Sequence, residues 1–117
     1  MAVKEFYEAI EVDPADVLKR FGGSEAMLEK FLKKFLADGT FAQLSEAVAA
    51  GDQELTFRAA HTLKGLAGNF DLLKLQSLAA KIVERYRAND FDAIPALFAQ
   101  TKECYEFTVA SLNRFLC

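Results

Sequence analysis

Apolar residues recur along the chain at steps of three and four, the spacing that lines one face of an α-helix, and no stretch of five or more alternates as a half-buried strand does. The pattern predicts an all-α fold. A short first helix carries Val3, Phe6 and Ile10. Asp13 as N-cap, with Pro14 in the first helical position, then opens a second helix that Gly22-Gly23 closes, with Val17, Leu18 and Phe21 facing inward. Ser24 caps the next helix, whose stripe is Leu28, Phe31, Leu32 and Phe35. After a break at Asp38-Gly39, a capping box of Thr40 and Gln43 starts another with the stripe Phe41, Leu44 and Val48.

Gly51-Asp52 ends that helix and starts the one holding His61, which Gly68-Asn69 ends in turn. Asp71 is placed to cap a helix from about Leu72 to Tyr86, with Leu75, Leu78, Ile82 and Tyr86 turned to the core. Asn89-Asp90 makes the next turn, and the last helix tolerates Pro95 because in the first turn no intrahelical donor is lost. Its residues Ile94, Phe98, Thr101, Tyr105, Thr108, Leu112 and Phe115 alternate steps of four and three, the seam of an antiparallel bundle. Short connections put consecutive helices side by side.

Composition narrows the function classes. With 117 residues, 52% of them hydrophobic, the chain fits one domain spanning residues 1–117 and leaves no room for a two-domain enzyme. Fourteen Lys and Arg against 17 Asp and Glu give a net charge of −3, so the basic footprint of a nucleic-acid binder is missing. No apolar run approaches the roughly 20 residues of a membrane span, and Lys4, Glu5 and Glu8 interrupt any signal-peptide stretch, which together predict a cytoplasmic protein with no membrane contact. Cys104 and Cys117 would lie about 20 Å apart in one helix, against about 7 Å for disulfide partners, so both are expected as free thiols. A single histidine and no close cysteine pair leave no ligand set for a metal.

On a helical wheel Leu55, Ala59, Leu63 and Leu66 share one arc, flanked by Ala60 and Ala67, and form the core side. His61 lies nearly opposite, exposed, with Phe57, Arg58, Lys64, Gly65 and Gly68 as its neighbours at helical spacing. Each glycine costs a helix interior about 0.5 to 1 kcal/mol relative to alanine, which calls for a compensating role. Gly68 reads either as part of a helix stop or as part of the site. Gly65, at i+4 from His61, bares the flank of the imidazole. Lys64 at i+3 and Arg58 at i−3 offer cations to anything attached to the ring, and such cations suit a phosphoryl group. Phe57 and Leu66 stand at the margin of this face. Phe57 either contributes to an apolar rim that packs against a partner or folds against a neighbouring helix.

The segment Ala60-His61-Thr62-Leu63-Lys64-Gly65-Leu66-Ala67-Gly68-Asn69 resembles the histidine-containing phosphotransfer (HPt) domain family. The likeness extends more loosely from the helix around Met27 to Leu36 to the apolar pattern of the last two helices. Many members have glycine where this chain has Asp71, a departure to which the capping role gives a reason. The resemblance implies an antiparallel four-helix bundle with a small N-terminal cover, formed here by the short N-terminal helices. It also implies a relay in which His61 accepts a phosphoryl group from the aspartyl phosphate of one response-regulator receiver domain, such as that of a hybrid histidine kinase, and donates it to another. Magnesium and the acidic pocket would belong to the receiver, so this chain is expected to carry no cofactor and no metal and to work as a monomer. It is expected to be a phosphoacceptor rather than a kinase, because the sequence holds no P-loop and no glycine-rich lid over a nucleotide. Two other readings stand beside the relay: an inert helical interaction or scaffold module, and a phosphoacceptor phosphorylated directly by a chemotaxis-type kinase.

Overall fold

The computed structural model describes residues 2–117, and among them every regular element is helical: α1 (Ala2–Ala9), α2 (Ala15–Arg20), α3 (Glu25–Leu36), α4 (Thr40–Ala50), α5 (Gln53–Asn69), α6 (Leu73–Arg87) and α7 (Ile94–Leu116), with a 3-10 turn at Phe91–Ala93. The all-α class read from the spacing is what the chain forms. Helices α4, α5, α6 and α7 pack each against the next, and α7 also touches α4, while α1 and α3 lie against α7. The core between them is built from the buried side chains of Leu28, Leu32, Leu44, Leu63, Leu75, Ile82 and Leu112, among others. No helix of the described residues is long and apolar enough to cross a membrane.

The Ser24 and Asp52 caps act as the sequence predicts, whereas α2 starts at Ala15, with Pro14 in the capping position rather than the first helical one and Asp13 bonding from one residue further out. The Asp13 carboxylate accepts from the Ala15 amide at 3.0 Å, Ser24 Oγ from Met27 at 3.1 Å, and the Asp52 carboxylate from Leu55 at 3.1 Å. Each satisfies one of the donors a helix start leaves without a partner. Gly51 closes α4 in the left-handed conformation, φ 65°, which a residue without a β-carbon adopts at little cost. Pro95 sits in the first turn of α7.

Four other expectations need correction. Thr40 and Gln43 form no capping box: Thr40 is itself the first helical residue and is buried, its amide donating to Asp38 Oδ1 at 2.8 Å, so the cap comes from two residues earlier. Asp71 does not cap α6. Its backbone takes φ 52° and its carboxylate turns back to Arg20, leaving Leu72 in the capping position with no side-chain bond. Phe31 is 36% exposed, because Leu28, Leu32 and Phe35 already fill the contact of α3 and its ring rests at the edge, against Phe21. In α7 the buried face includes Cys104, Ser111 and Leu116, a slight rotation from the predicted seam that leaves Phe98, Tyr105 and Phe115 half-buried. The two buried threonine hydroxyls of the seam are satisfied locally, Thr101 donating to the Leu97 carbonyl at 2.7 Å and Thr108 to that of Cys104 at 2.8 Å. Cys104 is buried, Cys117 is exposed, and both are free.

Candidate functional site

Helix α5 presents the site, and both of its ends are tied down. At the start Asp52 caps it. At the end, the N-terminal segment supplies donors to the last carbonyls: Arg20 Nη1 donates to Asn69 O at 2.7 Å and to Gly68 O at 3.3 Å, and the Tyr7 hydroxyl donates to Phe70 O at 2.7 Å. A helix terminus otherwise leaves these oxygens without intrahelical partners. Arg20 Nη2 also pairs with Asp71 at 3.1 Å, so one guanidinium joins the helix end to the turn that follows. Neither Arg20 nor Tyr7 was legible as part of this support, since both come from far along the chain.

The core face of α5 is Thr56, Ala59, Ala60, Leu63 and Ala67. Alanines let the neighbouring helices α4 and α6 approach closely. Leu55, expected in the core, is 50% exposed beside a groove between α4 and α5 that Ala47, Ala59, Arg58 and Thr62 also line, and Leu66 is half-buried. The core arc is thus centred further round the helix than the wheel placed it, on Thr56. His61 remains on the outer side and is exposed.

Around His61 the predicted neighbours take different roles. A β-carbon at Gly65 would meet nothing within 4 Å, so that flank of the imidazole opens to solvent. Lys64 is half-buried and forms no ion pair among the described residues, which leaves its ammonium available. Arg58 instead pairs with Glu54 at 2.5 Å, a turn towards the N-terminus, so part of its charge is already answered. Helix α5 ends at Asn69, as the Gly68-Asn69 pair predicts, with Gly68 itself still helical and outside the left-handed region. The missing side chain of Gly68 admits Gln76 from α6, whose Nε2 would lie 2.7 Å from an added β-carbon. Phe57 packs against the neighbouring helix: its ring stacks on Tyr86 with centroids 4.5 Å apart and 26° between planes. The same ring also stacks on the His61 imidazole, at 6.0 Å and 29°.

Sequence reasoning missed Arg87, whose guanidinium carbon sits 5.6 Å from the Phe57 ring centroid and adds a cation on the α6 side. It also put Tyr86 in the core, whereas that ring is half-buried, stacked on Phe57 and tilted against Phe91. The register of α6 against α5 decides both, and no signal within either segment encodes it. The arrangement is an exposed nucleophile on a helix face, with a free ammonium one turn on, a second cation beyond an aromatic ring, and open space on one side. It can hold a transferred anion on an imidazole that stands exposed to an incoming partner.

The family model for the Hpt domain matches residues 26–109, which include α3 from its second residue, all of α4 to α6 with His61, and most of α7. Searches of curated proteins and of solved structures find no match. Hpt domains are histidine phosphotransfer modules of phosphorelays, carriers of a phosphoryl group in two-component signalling. By a match that spans well over half of its length, the chain belongs to the Hpt domain family.

Proposed function

We propose that this protein carries a phosphoryl group between receiver-domain aspartates through His61. The observation that supports it most is the exposure of the single histidine on the outer face of α5, between Lys64, which has no ion pair among the described residues, and the open flank at Gly65, inside the segment that matches the family. In the step proposed, the lone pair of the distal nitrogen, Nε2, attacks the phosphorus of a receiver's aspartyl phosphate. The P–N bond forms as the acyl P–O bond breaks, and the receiver's carboxylate leaves with that electron pair. Reversal on a second receiver returns the imidazole. The neutral form of an imidazole carries the lone pair that makes this attack. Lys64, with Arg87 and Arg58 further out, offsets the negative charge of the phosphoryl oxygens, and positioning with charge neutralisation is the main requirement of phosphoryl transfer.

The partners of this reading are response-regulator receiver domains, one of them within a hybrid histidine kinase, and the setting is the cytoplasm, with residues 1–117 acting as one monomeric domain. The test is incubation with receiver domains charged by a small phosphodonor, followed by mapping of acid-labile phosphate. Label is expected on His61 of the wild-type protein and absent from a His61→Gln protein that keeps its helical circular dichroism. Transfer that persists in the variant overturns the assignment.

A further inference from the structure

The two flanks of His61 are unlike: towards Gly65 a side chain would meet nothing within 4 Å, while towards the N-terminus the ring meets Phe57. Helical side chains lean back over the residues three and four positions earlier, so the imidazole's own preferred direction brings it against residue i−4, which is Phe57. Phe57 is not free to yield. Its other contacts are Tyr86 at 4.5 Å and the Arg87 guanidinium at 5.6 Å, and Tyr86 is backed in turn by Phe91 at 5.7 Å. A row of rings from α5, α6 and the 3-10 turn therefore ends on the histidine.

We propose that Phe57 is a positioning residue that acts through His61, holding the imidazole in one orientation so that its reacting nitrogen faces the Gly65 side, from which a receiver's phosphoryl group must come. This rests on the phosphocarrier reading above. An imidazole free to rotate about its side-chain bonds would spend much of its time out of line with an incoming phosphorus atom, and misalignment by about 1 Å costs on the order of 100-fold in rate. Phe57 touches neither the phosphoryl group nor the reacting atoms in this role. It removes the orientations in which His61 swings towards α6 or folds back along α5.

The experiment compares wild-type protein with Phe57→Leu and Phe57→Tyr, using a receiver domain that labels the wild type and, separately, phosphoramidate as a small donor that needs no aligned pocket. Phe57→Leu should lower the transfer rate at saturating receiver about tenfold, leave the half-saturating receiver concentration within about twofold, and react with phosphoramidate as the wild type does. Phe57→Tyr keeps the ring and should transfer normally. Because the protein has one histidine, its ring proton resonances can be followed alone, and losing the Phe57 ring current should move them in Phe57→Leu but not in Phe57→Tyr. Transfer by Phe57→Leu at the wild-type saturating rate overturns the proposal. So does a rise in half-saturation with the rate unchanged, which would make Phe57 a docking contact, or an equal loss with phosphoramidate, which would mean a less reactive nitrogen. If no receiver labels wild-type His61, the carrier reading fails and the positioning role falls with it, whereas loss of labelling confined to the variants leaves that reading intact.

Discussion

Gly68 faces Gln76 so closely that a β-carbon on the glycine would stand 2.7 Å from the amide nitrogen and 3.2 Å from the amide carbon of the glutamine. The atoms in the way are the far end of a flexible side chain, which can swing aside. Gly68→Ala should therefore gain about 0.5 to 1 kcal/mol of helix propensity and give part of it back in displacing Gln76, for a net change near zero. The double variant Gly68→Ala, Gln76→Ala should recover the full gain. Urea unfolding of the two proteins checks this. A loss above about 2 kcal/mol in the single variant would show that the amide is fixed where it lies.

Gly65 should behave differently, since nothing lies within 4 Å of the position its β-carbon would take. Gly65→Ala should unfold at higher urea, by about 0.5 to 1 kcal/mol, because alanine loses less backbone entropy in a helix. If the gap admits the receiver's aspartyl phosphate, transfer should slow in Gly65→Ala and slow much more in Gly65→Gln, activity falling while stability rises. Wild-type transfer by Gly65→Gln would show that the gap serves no access.

How much of this was legible in the sequence depended on the distance over which each feature is encoded. Helix existence, the Ser24 and Asp52 caps and the outward placement of His61 follow from residues within a turn or two of one another, and they match the structure. The Thr40 capping box failed because Asp38, two residues upstream, offers the amide a shorter reach. Asp71 was misread for another reason. The clue was the glycine common at this position in the family, which signals a left-handed backbone, and the aspartate does take φ 52° while its carboxylate serves Arg20 from far upstream. Arg87, Tyr86 and Gln76 reach the site only through the register of α6 on α5, which pattern within one helix does not contain.

Charge beside the histidine is the next test. Lys64 forms no ion pair among the described residues, whereas Arg58 is engaged with Glu54 and both of those side chains are 66% exposed. Lys64→Ala should slow phosphoryl transfer more than Arg58→Ala does, and each should leave stability within about 0.5 to 1 kcal/mol, as for solvated surface groups. Stopped-flow transfer from one charged receiver ranks the two. The reverse order would mean that Arg58 leaves Glu54 for the phosphoryl group during the reaction.

The turn after α5 sets backbone strain against an ion pair. Asp71 holds φ 52° and pairs with Arg20 at 3.1 Å. Glycine relieves the left-handed cost but loses the pair, so Asp71→Gly should change stability by no more than about 1 kcal/mol. Asp71→Ala keeps the strained backbone and loses the pair as well, and should be destabilised by about 1 to 2 kcal/mol. Alanine as stable as glycine in thermal unfolding would show that the turn relaxes to another conformation.

Alkaline pH should expose the Tyr7 contact. Burial pushes the phenol above its ordinary value of 10.0, the nearby Asp71 charge pushes the same way, and Arg20 opposes them. The folded state thus keeps a proton that the unfolded chain gives up, so this contribution is complete below about pH 10 and is lost as pH rises beyond it. The Cys104 thiol and the Tyr105 phenol are also raised, chiefly by burial, and add to the same decline. Tyr7→Phe removes the donor from Phe70 O, at 2.7 Å in the wild type, and should cost about 1 to 3 kcal/mol at pH 7 to 8 by leaving a buried carbonyl without it. The phenylalanine protein has no phenol to ionise at this position, so its alkaline limb should be shallower. The stability gap between the two proteins should narrow as urea unfolding is repeated from pH 8 towards pH 11. Curves that stay parallel over that range would mean that Tyr7 ionises as easily folded as unfolded, and that its hydroxyl is not held against the end of α5 in solution.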